Sequence, residues 1–197
     1  MELRGVALPM LGYGLAASAP PETEEVARLL RQAKSGDIVA FEAILRLFEV
    51  RVARTALRLL GNRQDAQDAA QEVFLRLHRR ISNIDSAGSL SGWLYRVTVN
   101  ACYDILRKRR ASVPIEDAGL SVDSSVDDDA DRDRQRKLVA EALLTLPEKE
   151  RAALTLRDIE GLSTREVAQI LGSSEATVRS QISTARLKIR KILRRRI

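Results

Sequence analysis

The chain has 197 residues, 45% hydrophobic, 30% charged and only 4% aromatic, with 33 Lys+Arg against 27 Asp+Glu and a net charge of +6. The apolar share supports one medium or two small cores and excludes a wholly disordered protein, and the scarcity of aromatic and alternating β-branched residues favours packed helices, so the expected fold class is all-α. One cysteine, Cys102, and one histidine, His78, exclude an intrachain disulfide or a Cys/His zinc site and fit a reducing, cytoplasmic setting; both are expected at packing or surface positions.

Charge is unevenly placed. Residues 1–110 carry 17 Lys+Arg against 12 Asp+Glu, residues 111–135 carry 2 against 8, and residues 136–197 carry 14 against 7. Two basic blocks around an acidic strap point to two polyanion-binding bodies on a linker that does not itself bind phosphate.

Residues 1–21 form an N-terminal extension, expected to be disordered. Arg4, the apolar run Gly5–Ala17 and the small triplet Ala17-Ser18-Ala19 imitate a secretory leader, but Pro9, Gly12 and Gly14 interrupt the run and Glu2 offsets Arg4, so that reading is rejected. No segment has the roughly 18 uninterrupted apolar residues of a membrane span, so no membrane insertion is expected.

Residues 22–110 read as a four-helix body. Thr23 caps a helix with Val26, Leu29, Leu30 and Ala33 on one face, stopping at Gly36. Asp37 caps a long second helix whose stripe is Phe41, Ile44, Leu45, Phe48, Val52, Ala56 and Leu59, closed by Gly61-Asn62. A third helix starts near Asp65 and buries Ala66, Ala69, Ala70, Val73, Phe74, Leu77 and Ile81, leaving Asp65, Asp68 and Glu72 on other faces. After a loop over Ser82–Ser89, a fourth helix runs from about Leu90 to Arg110. Leu90, Trp93, Leu94, Val97, Ala101 and Ile105 face inward, and Tyr95, Arg96, Asn100 and Tyr103 lie off that stripe.

Residues 111–135, with Pro114, Gly119, several serines and the run Asp127-Asp128-Asp129-Ala130-Asp131, read as a flexible acidic linker. A calcium loop there fails, because Arg132 would take its glycine position and Leu138 its bidentate carboxylate position.

Residues 136–197 form the second body. Leu138, Ala142 and Leu143 mark a helix, Pro147 opens the next, and Ala152–Leu156 carry it toward Gly161. Ser163-Thr164-Arg165-Glu166 is a capping box, Val167, Ala168, Ile170 and Leu171 are the buried side of its helix, and Gly172 makes the turn. A last helix from Ser174 carries Val178, Ile182, Ala185, Ile189 and Leu193 as its stripe. Capped helix, glycine turn and basic second helix describe a helix-turn-helix, whose second helix fits the major groove of DNA. Thr177, Arg179, Ser180 and Ser183 are candidate base-edge or phosphate contacts; Arg186 and the arginines beyond it suit phosphate or a protein partner.

Asp65-Ala66-Gln67-Asp68-Ala69-Ala70-Gln71-Glu72-Val73-Phe74 resembles the polymerase-binding segment of sigma domain two. Trp93-Leu94-Tyr95-Arg96-Val97-Thr98-Val99-Asn100, with Asp104 and Arg107–Arg110, resembles its promoter-melting helix, and Gly161-Leu162-Ser163 through Arg186 resembles sigma domain four. Without a third domain between them, the pattern is that of extracytoplasmic-function (ECF) sigma factors. The resemblance implies that Asp65, Asp68, Gln71, Glu72 and Phe74 lie at or beside the docking face for the clamp helices of core RNA polymerase. It implies that the fourth helix and preceding loop hold the minus-ten element of promoter DNA, Asn100 reading a base edge, Arg96, Arg107, Arg109 and Arg110 holding phosphate, and Tyr95 stacking or packing. Trp93 is assigned to the core. The second body would bind the minus-thirty-five element, the linker would run toward the RNA exit channel, and an anti-sigma factor is the implied regulatory partner.

Two departures bear on specificity. The loop Asn83–Gly88 offers no aromatic residue to an extruded base, and Gln181 and Thr184 stand where relatives often have basic residues. A stand-alone helix-turn-helix regulator is the competing reading. An enzyme is not expected: there is no Gly-rich phosphate loop and no histidine-based acid–base constellation, and the Asp run is too loosely held to preorganise a metal pair, so no cofactor, metal, catalytic residue or small-molecule substrate is assigned.

Overall fold

The computed structural model describes residues 23–112 and 130–194. The N-terminal extension, most of the acidic linker and the Asp127–Asp129 run lie outside the described residues.

Apolar residues at offsets of three and four give α1 (Thr23–Lys34) its buried face of Val26, Leu29, Leu30 and Ala33. The chain then turns through Gly36 at φ +94, and the Asp37 carboxylate accepts from the Val39 and Ala40 amides to start α2 (Ile38–Leu60). Gly61 ends α2 in the left-handed conformation at φ +70, donating to Leu57 O. A side chain there would also collide with Leu144, whose methyl carbons lie 2.5 and 2.7 Å from a Cβ position.

The third helix, α3 (Arg63–Arg80), starts two residues ahead of the expected Asp65. Asn62, expected as a stop signal, is also its N-cap, its side chain accepting from the Asp65 amide at 3.0 Å. A short 3-10 turn, Ile81–Asn83, leads to α4 (Ala87–Ser112), which begins three residues before the expected Leu90. There the Ser86 and Ser89 side chains each accept from the other's amide, at 3.2 and 2.8 Å, a cap built from serines alone.

The second body opens with α5 (Ala130–Leu144), six residues before the expected residue 136. Ala, Arg, Gln and Lys are strong helix formers whatever the net charge of the segment, so acidity alone misplaced this boundary. α6 (Glu148–Leu154) follows Pro147 and runs on as one π-helical turn, Thr155–Ile159, to Gly161 at φ +77. α7 (Thr164–Leu171) and α8 (Glu175–Leu193) are joined at Gly172, φ +60. The capping box is present in full: Ser163 Oγ accepts from the Glu166 amide at 3.2 Å, and Glu166 Oε2 from the Ser163 amide at 2.7 Å.

The fold is all-α in two helical bodies, as expected, and among the described residues no strand occurs. The bodies do more than share a chain. One continuous core runs from Ile44, Phe48 and Leu77 of the first to Leu143, Leu154 and Val178 of the second. α4 packs on α7, and α2 on α5 and α6. On α4, besides the expected stripe, Tyr95, Thr98, Val99 and Cys102 are buried: Tyr95 bonds Glu160 of the second body, Cys102 lies near its Arg151, and Thr98 shares a small cavity with Phe48, Arg51 and Val52 of α2. Thr98 satisfies its buried hydroxyl by donating to Leu94 O at 2.8 Å.

Candidate nucleic-acid interface

The capping box and the Gly172 turn fix α7 against α8, and Val178, Ile182, Ala185 and Ile189 hold α8 to the core. That leaves Thr177, Arg179, Ser180 and Ser183 exposed together on the N-terminal half of α8, where a recognition helix meets base edges. Ser174 caps α8 by accepting from the Thr177 amide at 3.1 Å, with the two hydroxyls 2.8 Å apart. Arg179 pairs with Glu175 at 2.8 Å but stays 64% exposed, so its charge remains available to phosphate.

Arg157, Thr164, Arg179, Ser183, Arg186 and Arg190 line one open groove along this helix. No local pattern singles out Arg157, which the three-dimensional turn brings to the groove. Arg186 is less free than its neighbours: both its Nε and Nη2 donate to Asp158, at 2.9 and 2.6 Å, and these bonds raise its pKa. Gln181, half-buried, faces a different cleft with Glu148, Arg151 and Arg110, away from the exposed serines.

In the first body, Arg96, Asn100 and Arg107 are exposed on α4, Arg107 paired with Asp104 at 2.8 Å. Arg109 is ion-paired with Asp65, and Arg110 with Glu148 of the second body. Tyr95 corrects the expectation that it lies available off the inward stripe. It is 6% exposed, its hydroxyl donates to Glu160 Oε2 at 2.9 Å, and burial together with the nearby carboxylate pushes its pKa well up. Trp93 packs partly against the core, as expected, while its outer edge borders a groove with Asn83, Asp85, Ser89 and Arg96. The far wall of that groove is Leu162, Glu166, Gln169 and Ile170 of the second body.

On α3, Asp65, Asp68 and Glu72 fall on one side at offsets of three and four. Asp68 and Gln71 are exposed, Glu72 pairs with Arg76 Nε at 2.7 Å, and Phe74 is half-buried against the core. The lone His78 is exposed and meets the Phe41 ring edge-on at 5.2 Å. Cys102 is sealed in, its thiol pushed up to about 12 by burial despite Arg151 nearby. Among the described residues no group of three or more His, Cys, Asp and Glu is placed to hold a metal, and no helix is long and apolar enough to cross a membrane.

A four-helix body with an acidic face on one helix and a basic helix beside it, followed by a helix-turn-helix, defines a two-part promoter-recognition subunit. Residues 44–112 match the Sigma-70 region 2 family and residues 136–189 the Sigma-70 region 4 family. The chain is 34% identical over 188 residues to the ECF RNA polymerase sigma factor SigM of Mycobacterium tuberculosis, across 94% of this chain and 93% of that one. CnrH, solved in complex with the cytosolic domain of CnrY, superposes at a TM-score of 0.66 and 27% identity over 86% of this chain and 97% of CnrH. The sigma factor RpoE of Bartonella quintana, solved with the anti-sigma factor NepR, shares the fold at a TM-score of 0.64 and 24% identity, over 78% of this chain and 96% of RpoE. The chain belongs to the ECF group of sigma-70 RNA polymerase sigma factors. It is a sigma factor, a subunit that binds core polymerase and recognises promoter elements.

Proposed function

We propose how that work is divided among the residues. α4 and the loop before it take the minus-ten element, with Asn100 on a base edge and Arg96 and Arg107 on phosphate. Unstacking costs a few kcal/mol per base step, which a positioned cradle offsets better than diffuse charge does. α8 takes the minus-thirty-five element in the major groove through Thr177, Arg179, Ser180 and Ser183. Asp65, Asp68, Gln71 and Glu72 meet a cationic surface of the polymerase, where charge complementarity sets register and encounter rate. Tyr95 and Phe74 support these surfaces by packing, and Arg109 and Arg110 join the phosphate contacts once released from Asp65 and Glu148.

The observation that carries this reading is the grouping of four exposed polar and basic residues on the N-terminal half of a capped, core-anchored α8. With DNA and polymerase as its partners, the protein works in the cytoplasm. An anti-sigma factor is the proposed regulator, supported by RpoE, which was solved with one. Footprinting of holoenzyme on a promoter tests the division: two protected elements about two helical turns apart are expected, and Arg179→Ala should weaken the upstream one alone. Loss of both elements together in that variant contradicts the assignment.

A further inference from the structure

Two arginines of the α8 groove are held in different ways. Arg179 pairs with Glu175 one turn back along the same helix, both side chains open to water, and such a pair contributes little and exchanges readily for phosphate. Arg186 instead reaches 28 residues back to Asp158, its Nε and Nη2 each donating to one carboxylate oxygen at 2.9 and 2.6 Å. Asp158 stands on the π-helical turn, where the Glu160 amide donates to Thr155 O, five residues back, at 2.9 Å. That one wide turn brings Arg157 to the groove and Asp158 to Arg186, and single π turns are frequent at functional sites. The Asp158 side chain is all but covered, whereas Arg186 lines the groove and keeps an exposed face.

α8 does not depend on this pair alone for its place. Val178, Ile182, Ala185 and Ile189 bury its inner face, and Lys188 Nζ donates to both Glu150 oxygens at 2.8 Å. What the Asp158 carboxylate fixes in addition is the plane of one guanidinium. Two parallel bonds hold an arginine in a single orientation, which one bond or a lysine cannot do. Of a guanidinium's five N–H donors the fork uses two, so Arg186 still has donors to offer on the groove side.

We propose that Asp158 is a positioning residue for recognition of the upstream element: it aims Arg186 at one DNA phosphate beside the bases that Thr177, Arg179, Ser180 and Ser183 reach. A phosphate contact held in one geometry sets the register of the helix on the duplex, and base contacts then specify the sequence. The covered carboxylate also offsets the charge of Arg186, so the groove attracts DNA of any sequence less than its arginines alone would. Loss of Asp158 therefore loosens the register and strengthens non-specific attraction, and both effects lower discrimination. The inference rests on the reading of α8 as the minus-thirty-five helix.

Holoenzymes assembled from the full-length parent, Asp158→Asn and Arg186→Lys chains would be compared on a promoter found by start-site mapping and on the same fragment with its upstream element scrambled. The ratio of the two affinities is independent of the fraction of chain that folds, so a merely structural role leaves it unchanged. In both variants the ratio is expected to fall about tenfold, the low end of what a hydrogen bond to a charged group contributes. Arg186→Lys keeps the net charge while losing the fork, so a fall confined to Asp158→Asn would be an effect of charge and would overturn the positioning role. An unchanged ratio in both variants, with Arg179→Ala still weakening upstream protection, overturns the inference and leaves the reading of α8 standing. Unchanged upstream protection in Arg179→Ala as well overturns both. Where circular dichroism shows Asp158→Asn melting below the assay temperature, Asp158→Glu takes its place, keeping the charge but displacing the fork by one methylene. It must lower the ratio likewise, and an unchanged ratio overturns the proposal.

Discussion

Arg186 grips Asp158 through both carboxylate oxygens, at 2.6 and 2.9 Å, and so ties the recognition helix to the π-helical turn that precedes the helix-turn-helix. The Asp158 side chain is 9% exposed and that of Arg186 is 40% exposed. A residue that the sequence offers only as a DNA or protein contact is therefore also a brace inside domain four.

Arg186→Ala is accordingly expected to destabilise the chain. A bidentate charge-assisted pair, discounted for the exposure of the arginine, contributes about 1 kcal/mol. Arg186→Lys should keep the charge but not the fork, and lose part of that amount. Urea unfolding followed by circular dichroism measures this; equal stability of all three proteins would leave Arg186 as a surface contact only.

The acidic face of α3 predicts a charge-reversal phenotype. Glu72→Lys and Asp65→Lys should each weaken assembly with core polymerase at least about tenfold, with the loss growing at low salt, because like charges then face each other across the interface. Fluorescence anisotropy of labelled protein titrated with core enzyme reads it.

Asn100→Ala removes an exposed amide from α4 without touching the core, so stability and polymerase affinity should be unchanged. Promoter opening, followed by permanganate reactivity of unpaired thymines, should fall by about 1–3 kcal/mol of base discrimination, roughly five- to 150-fold. Arg179→Ala should instead lower the salt dependence of promoter binding, by about one unit of log–log slope for each phosphate it no longer neutralises.

The capping box gives a pH dependence with a definite sign. Hydrogen bonds from the Ser163 hydroxyl and amide hold the Glu166 carboxyl below its ordinary value. A carboxyl lowered in the folded state adds stability that is fully present above the unfolded value of about 4.3 and is lost as the pH falls through the folded one. Glu166→Gln should remove that acid-side slope while leaving stability at pH 7 reduced. Thermal melts from pH 7 to pH 3 would show it, and parallel curves for the two proteins would contradict it.

Much of this molecule is written in local pattern. The Asp37 cap, the Gly61 and Gly172 stops, the Ser163–Glu166 box and the stripe of α8 each depend on residues within one helical turn, and each is present as expected. The interdomain contact is not local. Glu160 and Tyr95 are 65 residues apart, and on α4 the 3.6-residue period identifies the core stripe but gives no reason for Tyr95, Val99 and Cys102 to be buried. Tyr95 is covered by Glu160 and Cys102 lies near Arg151, both of the second body, and periodicity assigns neither a partner. Arg157 and Arg151 escape a sequence reading for the same reason: among the mixed charges of residues 148–160 neither has a pattern until the turn that places it is known.

Transcription reconstituted from purified core polymerase, this protein and a fragmented genomic library, with start sites mapped at nucleotide resolution, shows whether this subunit directs initiation. Discrete starts that depend on the added subunit are predicted, each preceded by two recurrent sequence elements about two helical turns apart. A start-site profile identical to that of core polymerase alone, obtained with folded protein, would contradict it.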